Sequence, residues 1–244
     1  MKTPILKFIL DENYSVHTAL YLLVEKNKGK NYGDVRLDSD KLNNIGLLLE
    51  KGMKVEAADV IKREYYEKGM QYLLKETLPL YQRSWDKINN KFFRMVSGVT
   101  GYAWNHEEYY CALSPFVQGV STWDGGDTIV RTCADNSYIM RKITAHELIL
   151  AHVFNILNTV HKEENPSETQ KWGISECSAF IITGLDDFAD EFWPWLSKEK
   201  RYVVQHNYPE LQEFQGKMKA EYEKKHNFND ALKWATVEAK KYSW

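Results

Sequence analysis

Proline is scarce in this chain of 244 residues, with 6 in all, and nowhere does it gather with glycine into a linker. Exposed linkers of that composition mark domain boundaries, so the expectation is a single domain over residues 1–244. Basic runs are also missing. Lys and Arg number 32 against 34 Asp and Glu, a formal net charge of −2, which leaves nucleic acid without an electrostatic footprint. No window approaches the roughly 18 apolar residues of a membrane span. The opening "MKTPILKFILDENYS" has too short an apolar core for a signal peptide, and Asp11 and Glu12 fall where a cleavage site would sit. Neither nucleic acid nor membrane is an expected partner.

Cysteine is sparse as well. Cys111, Cys133 and Cys177 lie far apart, without metal-ribbon spacing. An odd, low count fits reduced thiols rather than a disulfide framework, so the expected location is cytoplasmic. No repeat and no low-complexity segment occurs.

Aromatic residues are abundant instead, with 8 Trp and 15 Tyr. Such rings fill cores and also line peptide or sugar grooves. Residues 1–100 read as a helical part. "PILKFIL" suggests a short strand, "DSDKLNNIGLLLEKG" a capped helix ending at Gly52, and the run from Val55 to Phe93 further helix interrupted near Pro79. From Gly98 the texture turns β-like. "YYCALSPFVQGVSTW" and "DTIVRTC", separated by "WDGGD", predict a hairpin of Tyr109–Trp123 with Asp127–Cys133. A helix over Tyr138–Val160 follows, then one in "KWGISECSAFIITGL", and two more over residues 201–244, the first opened by Pro209. The fold class expected is α+β, mostly helical, with a small antiparallel sheet packed on a helix pair in residues 101–200.

Chemistry concentrates in "ITAHELILAHVF", Ile143–Phe154. This helix is apolar nearly all round, and such helices are buried. Glu147 inside it needs a partner, because an unpaired buried charge costs several kcal/mol or more. Two histidines four residues apart lie roughly 40° apart on one helical face and can share an ion. Here position i+4 from His146 is Leu150, and the next histidine, His152, lies roughly 120° away around a regular helix. Glu176, in "WGISECSAF", is a second carboxylate embedded in apolar helical sequence.

The succession "DTIVRTC", "TAHEL", "GISECSAF" resembles the core of the gluzincin metallopeptidases, the thermolysin-like class, over about Tyr109–Leu185. That resemblance implies a small sheet beside two active-site helices and a zinc ion. His146 would be the first ligand, Glu176 the third, and Glu147 the general base. Leu150 stands where the second zinc histidine would be, and His152 is the irregular substitute the chain offers. His206, in "VVQHNYPEL", would be a transition-state donor beyond the metal. "DTIVRTC" would be an edge strand holding an extended peptide or protein substrate in a cleft. Bland readings stand beside these: a buried His–Glu pair for His146, a core histidine for His152, a helix-end role for His161, and a small core residue for Cys177. The candidate functions are therefore a zinc metallopeptidase or its inactive relative, and a non-catalytic peptide-binding or structural helical protein.

Overall fold

The computed structural model describes the chain except residues 1, 30–33, 68, 119–120, 124, 133–135, 162–164 and 206–207. The protein is α+β and mostly helical. Two compact units make up the chain and their segments alternate along it: one gathers residues 6–85 and 109–140, the other 1–5, 86–108 and 141–244. Because the chain passes between them repeatedly, no single linker-like stretch marks the division. Among the described residues no helix is long and apolar enough to cross a membrane.

The first unit carries the sheet. β1 (Ile5–Ile9) buries Leu6 and Phe8 while Ile5 is exposed, the period of two expected of a strand with one covered face. α1 (Glu12–Asn27) starts at Asp11, whose carboxylate accepts the Tyr14 amide at 2.9 Å. β2 (Asp34–Val35), α2 (Ser39–Glu50), α3 (Lys54–Glu67) and α4 (Met70–Asp86) follow. Pro79 does not interrupt the helical run; it sits inside α4, and the breaks fall at Gly69, with φ +62°, and after Asp86. A proline inside a helix costs about 3 kcal/mol. The buried stripe of Leu74, Tyr81 and Trp85 holds the helix in place regardless.

β3 (Glu108–Ser114), β4 (Val117–Gln118), β5 (Thr122–Trp123) and β6 (Thr128–Thr132) complete the strands. They do not form the expected antiparallel hairpin. β3 pairs with β6 in parallel, Tyr110 opposite Thr128 through Ser114 opposite Thr132. Parallel neighbours need a crossover rather than a tight turn, and the turn at "WDGGD" joins the two-residue β5 to β6 instead, antiparallel. The sheet is mixed, in the order β1-β3-β6-β5, with β2 and β4 forming a separate antiparallel pair. "DTIVRTC" is therefore an interior strand between β3 and β5, not an edge; Cys133 lies outside the described residues.

One of the two edge strands, β1, is closed by a side chain. The Gln82 amide of α4 accepts the Phe8 N–H at 2.8 Å and donates to the Leu6 carbonyl at 3.0 Å. These two bonds satisfy a donor and an acceptor that a further strand would otherwise take.

The second unit is helical. α5 (Asn89–Thr100) stops at Gly101, left-handed at φ +79°, where only glycine turns without strain. α6 (Met140–Thr159) and α7 (Glu168–Thr183) are followed by α8 (Asp186–Phe192), the short α9 (Lys198–Arg201), a 3-10 turn over Pro209–Leu211, α10 (Gln212–Lys225) and α11 (Phe228–Glu238). α7 packs against both α10 and α11. Its core face uses small residues, and Ser175, Ser178 and Thr183 return their hydroxyls to carbonyls four residues back, each at 2.7 Å. Buried hydroxyls are thereby satisfied without cross-helix partners.

Candidate functional site

α6 is continuous from Met140 to Thr159, so its side chains keep the angular spacing of a regular helix. α7 is placed by a capping box: the Ser167 hydroxyl accepts the Gln170 amide at 3.2 Å, and the Gln170 side chain accepts the Ser167 amide at 2.9 Å. Nine residues on, Glu176 faces α6. His146 Nε2 and Glu176 Oε2 are 2.6 Å apart, with the two side chains 12 % and 11 % exposed. The edge of the system is an aromatic wall, Phe180, whose ring centroid lies 4.5 Å from that of His146 at 64°. An ionised carboxylate only accepts hydrogen bonds, so with Glu176 ionised the His146 Nε2–H is the donor, and the bond pairs an otherwise costly buried charge.

Glu147 is buried beside His146 on α6, and Leu150, at i+4, is 5 % exposed and apolar. Cys177 is buried, its Sγ 4.0 Å from the Leu211 carbonyl. Burial pushes its thiol up, and the adjacent Glu176 carboxylate adds to the effect. A thiol held protonated is a core residue rather than a nucleophile.

His152 goes elsewhere. Its Nε2 lies 3.0 Å from Thr100 Oγ1, and its ring stacks on Trp104 at 4.3 Å and 24°. The Thr100 hydroxyl proton is committed to the Val96 carbonyl at 2.9 Å. His152 must therefore be the donor, a neutral imidazole protonated on Nε2, and its buried Nδ1 has no hydrogen-bond partner among the described residues. Burial lowers its pKa to about 3. The 120° offset from His146 thus sends this ring to α5 and the loop after it, not to the His146–Glu176 pair. His161, just beyond the end of α6, is buried with its ring edge-on to Tyr102. His206 lies outside the described residues.

Lys142 stands outside the sequence motifs described above. It lies one turn before His146 on α6, and its ammonium donates to the Arg201 carbonyl, with the Lys200 carbonyl 3.5 Å away. Burial lowers its pKa to about 8. The α9 end it grips is itself fixed, because Arg201 bonds Asp186 at 2.8 Å and Asp190 at 2.5 Å. The signal was available: Arg141 and Lys142 are adjacent cations opening an otherwise apolar helix, and Lys142 stands at i−4 from His146.

Catalytic zinc sites use three protein ligands plus water, and closed ones use four. His146 and Glu176 supply two. Among the described residues, no group of three or more His, Cys, Asp or Glu side chains is placed to hold a metal ion. Among the described residues, the donor set does not complete a zinc centre.

No protein-family profile matches the chain. No solved structure matches it either. Over 80 residues it is 31 % identical to a large ribosomal subunit protein uL10 of Sorangium cellulosum (strain So ce56), covering 31 % of this chain and 44 % of the relative. The chain thus spans less than half the length of that curated relative, too little to assign a family.

Proposed function

We propose that this protein is a gluzincin-like metallopeptidase relative that has lost hydrolysis and acts, in the cytoplasm, by binding a peptide or protein segment. One observation carries the reading: an imidazole and a carboxylate from consecutive helices, in the order and spacing of a first and third zinc ligand, meet at 2.6 Å, while buried Leu150 takes the place of the second. A two-ligand site holds zinc poorly, so Glu147 has no activated water to work on.

The test is metal analysis of folded wild-type protein and of Leu150→His, each with added zinc. Wild type is expected to retain less than about a tenth of an equivalent, and the variant to approach one. Stoichiometric zinc in the wild type together with peptide hydrolysis would restore an active zinc enzyme. No zinc in a folded Leu150→His would remove the peptidase ancestry.

The directness of the His146–Glu176 bond favours a second reading. The pair, unaided, ties α6 to α7, and the protein is a structural helical one. That reading predicts no metal in either protein and no affinity for extended peptides.

A further inference from the structure

In the helical unit, residues 2–4, Phe93, Arg94 and Ser97 of α5 and the loop 101–107 line an open cavity of about 440 Å³ that the proposed function does not use. We infer that this cavity binds a small planar monoanion, an aromatic carboxylate. Its volume is within the roughly 300–1,000 Å³ of small-molecule pockets. The loop is already fastened. Tyr102 Oη donates to Asn229 Oδ1 at 2.8 Å, Trp104 Nε1 donates to the Phe93 carbonyl at 3.0 Å, and the Glu107 carbonyl accepts the Ile5 amide at 3.0 Å. His152, stacked on Trp104, stiffens the wall further. A ligand would meet a preformed surface and pay little ordering entropy.

Charge selects the ligand's sign. Lys2, Arg94 and Glu107 line the cavity, but Lys2 Nζ and Glu107 Oε2 are 3.1 Å apart and neutralise each other. That leaves Arg94 as the net charge among the Lys, Arg, Asp and Glu side chains of the lining, with the imidazole of His106 beside it. Its Nε donates to the Asn90 carbonyl at 3.1 Å, and its terminal nitrogens meet no carboxylate among the described residues. Two parallel N–H groups of a guanidinium match one carboxylate. Ser97 and Asn105 add neutral hydrogen-bonding groups to the lining, and Phe93, Tyr102 and Trp104 supply an aromatic one. The combination calls for an arene carrying a single negative charge.

The experiment is calorimetric titration of the full chain with indole-3-acetate, indole-3-acetamide and phenyl phosphate, repeated with Arg94→Gln and Lys2→Gln. Arg94 is exposed, and unchanged melting temperatures establish that both variants fold. The carboxylate is expected to bind at about 1 mM or tighter, and the amide or Arg94→Gln to weaken binding roughly tenfold or more, as loss of a charge-assisted bond requires. Lys2→Gln is expected to change it by less than about threefold, since that charge is already paired. Equal affinity for acid and amide, an unaffected Arg94→Gln, tighter binding of the phosphate ester, or no saturation by about 10 mM would each overturn the assignment.

Discussion

His152 lies flat against Trp104, ring centroids 4.3 Å apart, and gives its one ring proton to Thr100. This contact accounts for a histidine in the middle of an apolar helix. It also has a pH consequence. The folded pKa, about 3, lies below the ordinary value of 6.5, so between those values the unfolded chain binds a proton that the native state refuses. Native stability from this group is full above about pH 6.5 and falls as the pH drops toward 3, by about 1.4 kcal/mol per pH unit. Urea unfolding of wild type and His152→Leu from about pH 7 to about pH 4 should show the wild type losing stability more steeply by about that slope. Parallel profiles would mean that the imidazole is protonated in the native state.

The His146–Glu176 bond should be measurable as a coupling. Replacing either partner by Ala takes from the other its charge-assisted hydrogen bond, at a cost of about 2–4 kcal/mol. The double variant should recover about 1–3 kcal/mol relative to the sum. Strict additivity in chemical denaturation would show that the two groups do not interact in solution.

Gln82 should act as an edge guard. Gln82→Leu leaves the Phe8 amide and the Leu6 carbonyl without their partner, costing about 1–3 kcal/mol and reopening β1 to pairing with a second chain. Faster exchange of the Phe8 amide and concentration-dependent light scattering are the expected signs. Unchanged exchange would show that another group covers this edge.

Ser167→Ala removes half of the capping box that starts α7 and should lower stability by about 1 kcal/mol. Because Ser167 lies nine residues before Glu176, its effect should add to that of Glu176→Ala within about 0.5 kcal/mol. A larger departure from additivity would show that the cap positions Glu176 directly.

Helices were readable where a period of 3.6 coincided with punctuation. Gly52, where a helix was expected to end, carries positive φ. The pairing of β3 with β6 was not readable. Two apolar, β-branched runs flanking a Gly-Gly turn look like a hairpin, and nothing local distinguishes that from a parallel pair reached through β4 and β5. Pro79 misled for the same reason: its local penalty is outweighed by the packing of Leu74, Tyr81 and Trp85.

Sequence alone determined that His146 and His152 could not share an ion on a straight helix, because 3.6 residues per turn is a local constant of the backbone. It also determined that Glu147 and Glu176 would be buried, since both sit among apolar neighbours at helical spacing. Only tertiary structure decided what each would meet. Glu176 found His146, His152 found Thr100 and Trp104, and the interior strand β6 lost the free edge expected of it. Partners distant in sequence are selected by how helices and strands pack, and packing minimises the free energy of the whole chain rather than of any one segment.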